Sequence, residues 1–177
     1  MRPIVPFIGF VCLVLLLGVL LLRDHAGQPE AARSFPALQL KALDGKAQWS
    51  TESLYGQVTV INVFASWCAS CAAEMPELAV LKKDYPEVQF FGIAWNDKPE
   101  MLNGWLKKHG RPFHSVWLDP EGNATITLGL KGVPETLVID REGMIRYRLA
   151  GPLTTAVREK VLAPLLIELS EQVYDAP

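Results

Sequence analysis

The sequence predicts an α/β protein, a three-layer fold with a mixed central sheet flanked by helices, preceded by one N-terminal transmembrane helix. Three observations lead there. Residues 4–22 (IVPFIGFVCLVLLLGVLLL) form one apolar run without a charge. Two buried-strand patterns, 58–64 and 88–95, stand on either side of a helical one. Two further strands joined by a tight turn are followed by a closing amphipathic helix at 154–172.

The apolar run comes first. As a helix its 19 residues would span roughly 28 Å, close to the hydrocarbon thickness of a bilayer, and Pro6 lies near the start, where a helix tolerates it. A cleaved signal peptide is the alternative, but that would have a shorter apolar stretch and a small-residue cleavage site. Here Arg23-Asp24-His25 follows directly, with no good A-x-A site. The plan is therefore a transmembrane anchor over 1–23, a polar linker over 24–34 (DHAGQPEAARS) and a folded domain over 35–177. Arg2 on one side is balanced by Arg23 and Arg33 on the other, so charge hardly decides orientation. A short N-terminus before a long domain favours an inside N-terminus and an outside domain. Cys12 lies mid-run and reads as a small packing residue.

Across the whole 177-residue chain, half the residues are hydrophobic and the net charge is −2. There is core enough for one domain, and no basic run to serve as a footprint for nucleic acid. Internal repeats and low-complexity tracts are absent from the sequence.

Within the domain, Leu38 to Leu40 and 47–50 flank the turn signal Asp44-Gly45 and read as a hairpin. Residues 58–64 (VTVINVF) are β-branched and almost wholly apolar, the pattern of a central strand covered on both faces. Residues 72–85 predict a helix with Met75, Leu78, Ala79 and Leu81 as its apolar stripe and a kink at Pro76. Residues 88–95 (VQFFGIAW) form a second buried strand, and 100–109 a helix stopped by Gly110. A short strand at 115–118 and a short helix at 123–128 follow. Strands at 136–140 and 145–150 are joined through Arg141-Glu142-Gly143, and the closing helix is expected to be irregular at Pro164.

The chemistry gathers at Trp67-Cys68-Ala69-Ser70-Cys71. Cys68 follows a central strand and opens a helix, where free N–H groups and the helix dipole favour thiolate over thiol. Cys71, one turn on, can attack a mixed disulfide at Cys68 and close the ring. Cys68 is thus expected as the more exposed attacker and Cys71 as the buried resolver. Two bland readings compete. A lone C-x-x-C is half a zinc site, and His25, His109 and His114 lack metal-ligand spacing to it. A purely structural disulfide across so small a loop adds little stability. Strand, motif and helix in this order favour redox use, with no cofactor and no metal.

The stretch NVFASWCASCAAEMPEL, with the later Gly132-Val133-Pro134-Glu135-Thr136, resembles the thioredoxin superfamily. WCASC, GVPETLVID, residues 92–97 and Gly151-Pro152-Leu153 most resemble its DsbE/CcmG family, thiol:disulfide interchange proteins of cytochrome c maturation. The resemblance runs from about Phe35 to Leu169 and implies a thioredoxin-like fold. It makes Cys68 the attacking and Cys71 the resolving cysteine of a redox-active Cys68–Cys71 disulfide, and Pro134 a cis-proline facing them. Val133 would offer backbone groups to an extended substrate. Trp67 would cover the disulfide and supply contact surface. Trp95, Trp105 and Trp117 read as packing residues.

Two departures matter. Thioredoxins usually place a buried Asp six residues before the first cysteine, where this chain has Asn62. Asn cannot take a proton, so Glu74, three residues after Cys71 on the helix, becomes the candidate base. Glu135 and Asp97 are acidic positions expected near the site, where they would hold the Cys68 thiol up against the helix dipole. The second departure is Ala69-Ser70 between the cysteines, unlike the Pro and Gly of thioredoxin.

The resemblance also implies partners and place. The substrate would be apocytochrome c or a cytochrome c maturation protein. A membrane reductase of the DsbD/CcdA kind would donate electrons. The chain would be a single-pass protein of the bacterial inner membrane, held through residues 4–22 with its catalytic domain in the periplasm. The alternatives are a general anchored disulfide reductase or oxidase unrelated to cytochromes, and a redox-inert thioredoxin-like binding module.

Overall fold

The computed structural model describes residues 28–172 and the single positions 10 and 13. The predicted anchor, and Cys12 with it, otherwise falls outside the described residues. Among the described residues, no helix is long and apolar enough to cross a membrane.

The strands are β1 (Gln28–Ser34), β2 (Gln39–Ala42), β3 (Gln48–Ser50), β4 (Thr59–Phe64), β5 (Gln89–Trp95), β6 (Ser115–Asp119), β7 (Glu135–Ile139) and β8 (Met144–Ala150). They form one sheet in the order β1-β8-β7-β4-β5-β6-β2-β3. β4, β5 and β6 run parallel, while β7 lies antiparallel against β4 and β8 against β7. The sheet is mixed, as the order of elements predicts. The helices are α1 (Ala69–Asp84), α2 (Pro99–His109), α3 (Asn123–Thr127) and a composite α4. This last runs from Thr155–Val157 through a wide π turn at Arg158–Leu162 into Ala163–Glu171. The irregularity expected at Pro164 is this π turn just before it. Pro164 has no N–H to give to Lys160 four residues back, so the regular ladder cannot run through.

Why β4 is continuously apolar follows from its place. Alternate residues point to opposite faces. Val60 and Phe64 enter a core shared with Met75, Leu78, Leu102 and Leu166 of the helices. Ile61 and Val63 enter a second core with Phe35, Trp49, Leu128 and Leu137. Both faces are dry, so the strand is apolar apart from Thr59 at its start, whose hydroxyl donates to the Gln57 carbonyl, and Asn62, which belongs to the site.

Gly92, the Cα partner of Asn62 on β5, makes the first core fit. A Cβ there would stand 2.8 Å from Phe64 Cε1 and 3.0 Å from Phe113 Cδ2. Phe64 is held between Phe113 and Trp105 in stacked pairs with centroids 5.2 and 5.4 Å apart. Gly92→Ala must spread that stack. Chemical denaturation should show a loss of about 1–3 kcal/mol, the usual cost of overpacking; an unchanged midpoint would show that the rings yield freely.

Two expectations change. Helix α1 starts at Ala69, three residues before the predicted 72, with Cys68 as its N-cap. The helix start at Cys68 expected from the motif holds, and the apolar stripe, which begins only at Met75, set the later bound. Within the segment read as a linker, Gln28–Ser34 forms β1, paired antiparallel with β8. Its composition is polar and small because an edge strand binds through backbone groups and requires no apolar side chains.

Candidate functional site

β4 ends at Phe64, and residues 65–68 carry the chain into α1. Val63 faces Glu135, the first residue of β7. The loop before β7, Lys131 to Pro134, therefore leaves the same end of the sheet as the Cys68 turn, one strand away. Val133–Pro134 is a cis peptide, so the expected cis-proline and the two cysteines share one pole.

Cys68 and Cys71 form a disulfide with Cα atoms 5.3 Å apart. Cys68 is 7% exposed and Cys71 fully buried at 0%. The expected order of exposure holds, although even Cys68 presents little surface. The Cys71 N–H donates to Cys68 Sγ at 3.2 Å, and Ser70 Oγ lies 3.4 Å from the same sulfur. A thiolate at Cys68 would inherit this N–H donor and the positive end of a 16-residue helix.

Glu74 is buried on the same face of α1 as Cys71. Its Oε1 accepts from Asn62 Nδ2 at 2.9 Å, and its Oε2 from the Leu153 N–H at 2.7 Å. Desolvation pushes its pKa up from 4.5 to about 7, against the lowering pull of the Leu153 and Asn62 hydrogen bonds. The carboxyl is thus poised to take or give a proton near neutrality. Asn62 Nδ2 also donates to Thr136 Oγ1 at 3.1 Å, across the β4–β7 pair. Sequence reasoning named Glu74 but missed Leu153 and Thr136. Leu153 acts through its backbone, which leaves no mark on side-chain chemistry. Thr136 was legible only as the cross-strand partner of Asn62.

The other acidic positions prove to be clamps. Glu135 Oε1 accepts the N–H groups of Lys131 (2.7 Å) and Gly132 (3.3 Å), while Oε2 pairs with Arg148 Nε at 2.7 Å. Its carboxylate ties the cis-proline loop to β8. Asp97 accepts from the Ser66 backbone N–H and, through Oδ1, from Ser66 Oγ and the Lys98 N–H at 2.9 and 2.8 Å. It braces the turn that delivers Cys68. Both carboxylates have their oxygens committed to the protein's own donors, so their ties are to neighbouring loops rather than to the cysteines.

Trp67 is 57% exposed, its ring edge-on to Trp95 with centroids 5.9 Å apart, and its indole N–H donates to the Asn96 carbonyl at 3.1 Å. Asn96 holds φ +46°, a left-handed turn that Asn tolerates. Gly122 lies under Trp95, where a Cβ would come 2.8 Å from its Nε1. Trp67 thus forms exposed aromatic surface beside the disulfide, and Trp95 and Gly122 support it.

Comparison with known proteins agrees with this geometry. The Redoxin family model matches residues 30–165. The HelX thiol:disulfide interchange protein of Rhodobacter capsulatus is 38% identical over 137 residues, covering 77% of each chain. The DsbE homolog of Paracoccus denitrificans, also a thiol:disulfide interchange protein, is 37% identical over 173 residues, 96% of this chain and 92% of its own. Among solved structures, a Chlorobium tepidum protein described as DsbE superposes with a TM-score of 0.70. It covers 80% of this chain and 99% of its own, and at 23% identity it attests the shared fold.

Proposed function

Because the chain belongs to the Redoxin family and, within it, to the DsbE/HelX thiol:disulfide interchange proteins, we propose that it reduces disulfides in protein substrates during cytochrome c biogenesis. That it is a thiol–disulfide oxidoreductase of thioredoxin-like fold follows from family and site together. The reducing direction and the substrate are the proposal. One observation carries it: Cys71 and a buried carboxyl poised near neutrality share one face of the helix that Cys68 caps.

The Cys68 thiolate attacks one sulfur of a substrate disulfide. A Cys68–substrate bond forms and the substrate's other sulfur leaves as thiolate. Glu74 takes the proton of the Cys71 thiol, and the resulting thiolate attacks Cys68 Sγ. The Cys68–Cys71 bond forms, the substrate's second sulfur departs, and two electrons have passed to the substrate. Trp67 gives the incoming chain apolar surface, and the backbone of Val133 beside Pro134 can pair with it as an added strand.

The substrate is apocytochrome c or a maturation protein carrying its disulfide, and the dithiol is restored by a membrane reductase of the DsbD/CcdA kind. Residues 4–22 hold the chain in the bacterial inner membrane with the domain in the periplasm. Support for these points is the sequence resemblance and the length and apolarity of that segment.

Cys71→Ala tests the reading directly. Without its resolver, Cys68 should accumulate mixed disulfides whose partners mass spectrometry identifies, while turnover falls to the level of buffer. Adducts only with proteins outside cytochrome c maturation and its electron supply, or no adducts at all, would defeat it. Equilibration with glutathione buffers tests direction, and a potential near that of DsbA, about −120 mV, would overturn the reducing assignment.

A further inference from the structure

The hydrogen-bond pattern around Asn62 is unbalanced. Its Nδ2 donates both to Glu74 Oε1 and to Thr136 Oγ1, at 2.9 and 3.1 Å, while its Oδ1 is buried without a hydrogen-bond partner. Asn62, Glu74 and Thr136 are all 0% exposed. A buried amide with both its contacts on one end, facing a carboxyl and a hydroxyl, has a second way to satisfy the same neighbours. The terminal amide of Asn turns about a soft torsion, exchanging donor for acceptor at nearly unchanged shape.

We propose that Asn62 is a positioning residue that follows the proton on Glu74 by turning its amide over. With Glu74 as carboxylate, Nδ2 donates to Oε1 as the structure shows. When Glu74 takes the Cys71 proton, Oε2 keeps accepting the Leu153 N–H, so the proton resides on Oε1. Oε1–H then faces Nδ2–H, donor against donor. Rotation brings Oδ1 round to accept from Glu74, and the Thr136 hydroxyl turns from acceptor to donor toward the same oxygen. Each state leaves one end of the amide unpaired, an acceptor in one and a donor in the other, so neither is locked. The inference deepens the proposed function and rests on Glu74 serving Cys71. No bond between heavy atoms changes; one proton moves from Cys71 to Glu74. Among the described residues, the other titratable side chains of this core are Cys68 and Cys71, from the turn and the start of α1, Tyr147 from β8, and the partly buried Tyr85 at the end of α1. Tyr147 is held above its usual range by burial and stays neutral through the relevant window.

The test uses the full chain in detergent with 15N-asparagine. In the oxidised protein, where the cysteines do not titrate, NOEs from the Asn62 Nδ2 protons to the Glu74 and Thr136 side chains should be strong above the Glu74 midpoint and weaken below it as the amide turns over between pH 9 and 5; resonances that shift while these NOEs stay constant would overturn the proposal. In Glu74→Gln the NOEs should not change with pH. Asn62→Leu supplies the second arm. Losing the Nδ2 donor favours the neutral acid, so the pH profile of mixed-disulfide resolution should move about one unit alkaline, with a rate at pH 7 lower by about fivefold. Asn62 resonances that ignore the Glu74 titration would overturn the proposal even if Asn62→Leu fails to fold, and so would a leucine variant whose profile keeps the wild-type midpoint. The NMR arm requires no turnover, so it stands or falls apart from the assigned substrate and direction.

Discussion

Replacing Glu74 with glutamine should make the protein more stable in alkali and slower in thiol exchange at once. The sign follows from the raised pKa. In the unfolded chain the carboxyl titrates near 4.5, and in the fold at about 7. Between those values the native state holds more protons than the unfolded one. Stability from this group is therefore complete below pH 4.5 and drains away as pH rises through 7. A displacement of about 2.5 units corresponds to a loss on the order of 3 kcal/mol across that window. The Glu74→Gln side chain would carry no such slope. It keeps one oxygen to accept from Leu153, and its amide can donate to the unpaired Asn62 Oδ1 once that side chain turns. Denaturant midpoints of variant and wild type should therefore diverge from pH 4.5 to 7 and run parallel above. The same change removes the base for Cys71, and resolution at neutral pH should slow by about a hundredfold or more. Parallel stability curves throughout would show that Glu74 titrates as an ordinary carboxyl. An unchanged resolving rate would move the base elsewhere.

Arg148→Ala should be the most damaging change remote from the cysteines. Arg148 Nε pairs with Glu135 Oε2 at 2.7 Å, with the Glu135 side chain 3% exposed, and its Nη2 reaches the Gly129 carbonyl at 2.9 Å. Removing the cation leaves a buried carboxylate with only the Lys131 and Gly132 N–H groups. Breaking such a pair from one side costs about 3–5 kcal/mol, and partial exposure of the arginine puts this one near the lower end. A melting temperature about 6–12 °C lower follows for a domain of this size. The functional effect should be selective. Glu135 sets the loop carrying Val133 and Pro134, so reaction with protein disulfides should fall further than reaction with a small aromatic disulfide, which needs Cys68 alone. Adding Glu135→Gln to Arg148→Ala should recover part of the stability. A strictly additive cycle would mean the two side chains do not act as a pair.

Different parts of this site were legible in the sequence to different degrees. Cys68 and Cys71 could be read because their chemistry, spacing and place after an apolar strand all point one way. Pro134 could be read only through resemblance, since the residues alone do not distinguish cis from trans. Glu74 was inferred from a substitution elsewhere: Asn62, where thioredoxins carry an acid, left the resolving thiol without a base. Glu135 and Asp97 were expected near the site as charges acting on Cys68, and the structure adds hydrogen bonds that the residues alone do not disclose. As bare charges they would hold the Cys68 thiol up. With their oxygens accepting from Lys131, Gly132, Arg148, Ser66 and Lys98, they also position loops.

The mixed sheet, the order of its elements after β1, the nucleophilic pair and the helix that opens at it could all be read from the residues alone. These depend on periodicity and local spacing, which are written residue by residue. Packing was needed to establish that Leu153 feeds a backbone N–H to Glu74, that Thr136 faces Asn62 from the neighbouring strand, and that a polar stretch would pair as β1. Those facts depend on which distant backbone groups meet when the sheet closes. A backbone N–H is the same in every residue but proline, so the identity of its neighbour is settled only by packing.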